Sequence, residues 1–276
     1  MFSKKTIKAR LAIVLAAMLL LASCQSRNQA DKQSYNSADS ANLKTLTKEV
    51  KEVVFPLPTL FETTKMLNDI GANYVPSSLN PVNKLDKYFK EKSKAINLGV
   101  YGTDLAYAAA YDQKQDIKFY SKAVKNLIDK LGININLNKM LTEEYKQKLN
   151  NKDTLTKVIS NTFYDTYKYL NEKSNSDLAI VMVSGMWVEA MYIATHISED
   201  TYHYSGLVKI IVKQKDSYTK LMSLLKAHDS DKDIKDIENK LMVLKPSFDK
   251  ASKGLTEKEY MTILKTIQTV RQSFVD

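Results

Sequence analysis

The chain holds one cysteine, one tryptophan, three histidines, five prolines and seven glycines in 276 residues. A lone cysteine, Cys24, excludes any intramolecular disulfide. So little glycine and proline leaves few of the turns that a many-stranded sheet requires. The histidines, His196, His203 and His228, form no His-Glu-x-x-His pair. His196 and His203 are separated by Ser198-Glu199-Asp200, which reads as a helix break and cap, so no metal is expected. Arginine is scarce as well, with only Arg10, Arg27 and Arg271 among the 41 basic residues. Nucleic-acid sites lean on arginine for bidentate contacts, and here lysines alternate with acids as on solvated helix faces. Nucleic acid is therefore not an expected partner. The chain also lacks a nucleophile motif, a phosphate-cradling glycine-rich loop and a dinucleotide fingerprint, so no cofactor is expected and nothing argues for an enzyme.

What is present begins at the amino end. Lys4, Lys5, Lys8 and Arg10 precede an apolar run from Leu11 to Leu21, closed by small residues. This is the layout of a secretory signal, and the run is shorter than the roughly 20 residues that cross a bilayer as a helix. Leu21-Ala22-Ser23-Cys24 resembles the lipobox read by the bacterial lipoprotein pathway. The resemblance implies that residues 1–23 are a signal peptide and that Cys24 becomes an acylated lipid anchor, of the kind that carries palmitate. One acyl chain binds a membrane only marginally, whereas two or more hold stably. An ordinary signal with a cysteine at its cleavage site is the alternative. Gln25 follows Cys24 and the first acid is Asp31. By resemblance to the enterobacterial sorting pattern, this favours the outer membrane over the inner one. The signal carries four basic residues and no acid, so the net charge of +10 falls to +6 without it. Residues 24–40 are polar and nearly devoid of large apolar groups, as in a flexible tether.

Residues 41–276 carry apolar groups at helical spacing. One stripe is Ile117, Tyr120, Val124, Leu127, Ile128 and Leu131; another is Leu155, Val158, Ile159, Thr162, Phe163 and Leu170. Others follow at Leu207, Ile210, Ile211, Leu221, Leu224 and Leu225, and at Ile234, Ile237, Leu241, Leu244 and Phe248. The last stripe, Tyr260 to Phe274, begins after Thr256 and Glu259, placed as a capping box. The fold class is all-α, a bundle of about nine to ten helices. Helices are predicted near 41–54, 58–70, 81–111, 114–131, 142–150, 152–173, 177–197, 205–227, 232–251 and 256–275.

Two segments are apolar or small nearly all round, Ala95–Ala110 and Leu178–Ala194, as in helices buried at the centre of a domain. Each carries Val-x-Gly, and Gly102 and Gly185 lie 83 residues apart. The match fits either a duplicated helical hairpin or chance in a short motif. The second segment is long enough to be weighed as a membrane span, but Glu189 near its middle favours a core helix.

Asp104 and Glu189 are the notable polar residues of these two segments. If the helices pack together, the carboxylates face a shared polar pocket or a cation, lined by Tyr101, Tyr107, Trp187 and Tyr192. The plainer alternative places each acid at a helix edge or against a neighbouring Tyr or Lys. Asp229-Ser230-Asp231-Lys232-Asp233 opens like a calcium-binding loop, but Ile234 and Lys240 stand where Gly and Glu are needed. It reads as a capped turn. Tyr164, Tyr167 and Tyr169, with Tyr202 and Tyr204, are either half-buried core edges or a partner-binding patch.

The lipobox, the segment Asn97-Leu98-Gly99-Val100-Tyr101-Gly102-Thr103-Asp104-Leu105 and the segment Gly185-Met186-Trp187-Val188-Glu189 together resemble the helical lipoproteins of Bacteroidota. That resemblance implies a compartment, the cell envelope, and assigns no activity. The leading expectation is a lipid-anchored domain that binds or scaffolds an envelope protein or glycan, on the periplasmic or the outer face. The alternative is a small-ligand- or metal-binding protein or an enzyme using a central pocket at Asp104 and Glu189.

Overall fold

A computed structural model describes residues 66–68, 70–135, 152–173, 175–198, 201–251 and 254–276. The signal segment, Cys24, the tether, the helices expected at 41–54 and 142–150 and most of that at 58–70 lie outside them. Among the described residues there are nine α-helices and no strand: α1 Glu91–Ala110, α2 Lys114–Lys130, α3 Lys152–Glu172, α4 Ser176–His196, α5 Ser205–Lys213, α6 Lys215–Ala227, α7 Lys232–Met242, α8 Lys245–Lys250 and α9 Glu257–Val275. Short 3₁₀ turns occur at Pro76–Ser78, Val82–Lys87 and Thr201–His203.

The expected stripes are where the core is. Ile117, Val124, Leu127 and Ile128 of α2 are buried, as are Leu155, Ile159, Phe163 and Leu170 of α3 and Ile263, Ile267, Val270 and Phe274 of α9. The α9 N-terminus forms its capping box: Glu259 N–H donates to Thr256 Oγ1, and Thr256 N–H donates to Glu259 Oε2 at 3.0 Å. Asp231 caps α7 by accepting from the N–H groups of Asp233 and Ile234. Asp231 and Asp233 also pair with Lys92, and Asp229 pairs with Lys226 and Lys235, so lysines answer the acids of this turn.

Three predicted helices are interrupted, each for a local reason. The helix expected from 81 begins at Glu91. Between Pro81 and Tyr88 only Val82 and Leu85 offer aliphatic surface, so continuing the helix would bury little, and the backbone instead engages tyrosine side chains. The helix expected over 205–227 is divided at Gln214, a polar residue standing where the stripe of Leu207, Ile210 and Ile211 would continue. The break places Ser217 Oγ to accept the Trp187 indole N–H at 3.1 Å. The helix expected over 232–251 is divided before Pro246, which has no N–H to donate to the preceding turn.

At the centre, α1 is buried from Asn97 to Ala110 and α4 from Leu178 to Met191. Helix α4 is the one described helix long and apolar enough to cross a membrane, and its apolar window is 94% buried within the domain. The two helices meet backbone to backbone. A Cβ on Gly99 would collide with the Met182 carbonyl, and one on Gly185 with the Ile96 carbonyl. Gly102, paired with Gly185 in the suggested duplication, faces the Phe163 ring of α3 instead. The glycines that let the central helices approach are therefore Gly99 and Gly185. All described residues belong to one unit, Glu49–Asp276.

Candidate functional site

The glycine crossing decides what the two acids can do. Asp104 lies five residues beyond Gly99 and Glu189 four beyond Gly185, so close approach of the backbones brings both carboxyls together in the core. Both side chains are wholly buried. Glu189 receives a bidentate guanidinium from α9: Arg271 Nε donates to Oε2 at 2.6 Å and Nη2 to Oε1 at 2.7 Å. Arg271 Nη2 also donates to the Ser78 carbonyl at 3.1 Å. The face of the guanidinium lies over Tyr192, 4.0 Å from the ring centroid, and Tyr192 stacks on His196 at 3.9 Å. Burial and the nearby Arg271 charge hold His196 below the usual imidazole value, against the pull of its bond to the Tyr192 carbonyl.

Asp104 is held differently. Its Oδ2 accepts the Asn80 backbone N–H at 3.1 Å, and its Oδ1 has no N–H or O–H donor. Oδ1 aside, the group that faces Asp104 is another carboxyl, Glu189. Two carboxylates cannot hydrogen-bond unless one carries a proton. One cation beside two ionised carboxylates would also leave a net negative charge in a dry core. Burial first and Glu189 second push the Asp104 carboxyl well above the usual aspartate range, and Arg271 only partly offsets them. With one proton on the Asp104–Glu189 pair, the cluster with Arg271 is neutral as a whole.

Around this centre, tyrosine hydroxyls hold the irregular segment 72–81. Tyr101 donates to the Pro81 carbonyl at 3.0 Å and Tyr120 to that of Asn80 at 3.3 Å. Tyr111 donates to the Ala72 carbonyl at 3.1 Å. Tyr107 donates to the Asn73 carbonyl and accepts the Val75 N–H at 3.1 Å. Tyr74 reaches the other way, to Asp116 Oδ2 at 2.8 Å. Asn97 Nδ2 donates to the Phe274 carbonyl at 2.7 Å and Tyr88 donates to that of Val275 at 3.3 Å, so the end of α9 is tied to the same layer.

Of the six residues suggested as a pocket, Asp104, Glu189 and Tyr192 meet around Arg271. Tyr101 lies near Asp104, and burial first and Tyr88 second raise its hydroxyl pKa. Tyr107 points to residues 73–75, and Trp187 points away, against Tyr218 and Phe248. None of the three clustered residues lines either surface hollow found at Tyr202–Leu255 or at Ile70–Leu207. Among the described residues, no group of three His, Cys, Asp or Glu side chains could hold a metal ion. Of the other tyrosines, Tyr169 donates to the Gly132 carbonyl, Tyr202 packs on Tyr260 and Tyr204 is exposed.

Arg271 is the member that the sequence reading passed over. Two signals marked it: position 271 lies on the apolar stripe of α9, between Ile267 and Phe274, and it is the one arginine after Arg27 in a sequence otherwise using lysine there. An arginine on a core face needs a carboxylate partner there. The chain matches no protein-family model, and neither a curated protein nor a solved structure shows significant similarity to it.

Proposed function

We propose that the protein is a bacterial lipoprotein, held at the cell envelope through acylated Cys24, whose helical domain binds or scaffolds a partner and does not catalyse a reaction. The observation that carries the binding reading is the state of the Asp104–Glu189–Arg271 cluster. The chain's best candidates for chemistry are enclosed in the core, and both oxygens of Glu189 and the inward face of Arg271 are engaged by neighbouring side chains. General acid–base work requires a group within hydrogen-bond reach of a substrate. A clamp that joins α1, α4, α9 and the 76–80 segment is the role this geometry suits. Recognition then falls to the outer surface, with an envelope protein, glycan or lipid as partner.

The anchoring part of the proposal is supported by the arrangement from Lys4 to Cys24 and by the resemblance to helical lipoproteins of Bacteroidota. It is supported too by α4, whose apolar surface is already spent inside the domain and is not free to serve as an anchor. The outer membrane is the destination that Gln25 after Cys24 favours. Cys24→Ser is expected to abolish palmitate labelling and to move the protein from the membrane fraction to the soluble one. Labelling that persists in this variant overturns the anchor. Turnover of a substrate that disappears in Glu189→Gln, with the fold retained, overturns the non-catalytic reading.

A further inference from the structure

One surface feature lies outside the tyrosine layer and the buried clamp. Between α5 and residues Ala251, Gly254 and Leu255 lies an open groove of about 560 Å³, inside the range of roughly 300–1,000 Å³ typical of small-molecule sites. Its floor is apolar: Val208 and Val212 from α5, and Ala251 and Leu255 from the opposite wall. Tyr202 closes one end, where its hydroxyl donates across the groove to the Leu255 carbonyl at 3.3 Å. Lys209 and Lys213 stand beside the valines. Because 208 and 212, like 209 and 213, are four apart, α5 presents a stripe of valine and a parallel stripe of lysine to the same cleft. Both lysines are exposed, and neither pairs with an acid among the described residues. Lys213 Nζ lies 3.9 Å from the weak acceptor Met66 Sδ.

We infer that this groove binds a single-chain anionic amphiphile, with its alkyl chain along Val208, Val212 and Leu255 and its carboxylate or phosphate head at Lys209 and Lys213. An apolar trough removes the chain from water, and a pair of ammonium groups at its rim selects a negative head over a neutral or positive one. A long-chain fatty acid and an alkyl phosphate monoester share this chemistry. The inference rests on the binding reading given above and names a ligand class for it.

The test uses the complete chain carrying Cys24→Ser, titrated calorimetrically with sodium laurate, monododecyl phosphate and dodecyltrimethylammonium below their micellar concentrations. Laurate or dodecyl phosphate should bind at one per chain, and the cation at least tenfold more weakly. The tighter of the two anions identifies the head group. The double variant Lys209→Glu/Lys213→Glu alters only exposed side chains. It should lose at least tenfold in affinity for the anion while keeping the thermal melt of its parent. Val212→Asp should weaken both anionic and cationic probes. Absence of binding by either anion, equal binding of the cation, or an unchanged affinity in the lysine variant overturns the inference. So does a concentration-dependent dimer that the lysine variant dissolves, which would give the groove to a second copy of the chain. These outcomes leave the lipoprotein reading standing. That reading fails separately, through the fractionation of Cys24→Ser or through turnover.

Discussion

The two flanks of the α1–α4 pair are held by different forces. On one side, residues 72–90 have little regular structure, and their backbone groups are satisfied by side chains: Tyr101, Tyr107, Tyr111 and Tyr120 by hydroxyl, Asp104 by carboxyl and Arg271 by guanidinium. On the other side, α5 to α8 satisfy their own backbones and attach through Leu207, Ile211, Leu221, Leu225, Leu241 and Phe248. The first flank depends on partners at fixed distances and angles. The second depends on filled volume. A segment too polar to fold as a helix can still be built into a domain when polar groups of its neighbours replace the missing ladder. It then inherits their sensitivity to charge and pH.

Substitutions at the clamp, at Leu225, at Asp104 and at Tyr120 separate these modes, ordered from the largest expected effect. Glu189→Gln or Arg271→Met alone leaves a buried partner uncompensated and should cost about 3–5 kcal/mol in urea unfolding, while Glu189→Leu with Arg271→Met should recover most of the loss. A single-variant cost below about 1 kcal/mol would mean that the clamp is not what holds α9 to the centre. Leu225→Ala should cost about 2–5 kcal/mol with no dependence on pH, since only packing and a cavity are involved. A pH-dependent cost there would erase the distinction between the flanks.

Asp104 gives the pH signature. Its native carboxyl keeps its proton above the unfolded value of about 3.9, so the native state binds more protons in that window. Its contribution to stability should therefore be complete below about pH 4 and decline by at most about 1.4 kcal/mol per pH unit as pH rises toward the raised native value. Asp104→Asn, which resembles the protonated acid, should remove that slope and match or exceed the parent at neutral pH. A parallel pH curve in the variant would show that Asp104 is not the source of the slope. The smallest effect belongs to Tyr120→Phe, about 1 kcal/mol. It should appear as faster amide exchange confined to the segment around Asn80, and an equal rise across α5 to α8 would refute a local role.

The sequence made the helical flank easy to read and the irregular flank hard. Leu221, Leu224 and Leu225 announce a buried face by spacing alone, and the glycines and small residues of α1 and α4 announce central helices. Asp104 and Glu189 were legible as a pair because acids are conspicuous in apolar surroundings. Their state was not, because it depends on Arg271, distant by 82 residues from Glu189 and by far more from Ser78. The helix breaks at Gln214 and Pro246 were written in single residues that a stripe of neighbours outweighed. Of the tyrosines around 72–81, Tyr101 and Tyr107 read as pocket lining and Tyr120 as core, since a hydroxyl's acceptor is a matter of tertiary placement and leaves no periodicity.

The last turns of α9 have a consequence for biosynthesis. Arg271, Phe274 and Val275 supply partners to Ser78, Glu189, Asn97 and Tyr88 across sequence separations of up to 193 residues. A chain delivered from its amino end presents Asp104 and Glu189 long before their counter-ion exists. Until α9 emerges, the central pair must stay open to water or hold a second proton. Closure of the domain is thus tied to the emergence of residue 271, and a chain halted before it carries an unanswered acid at its heart.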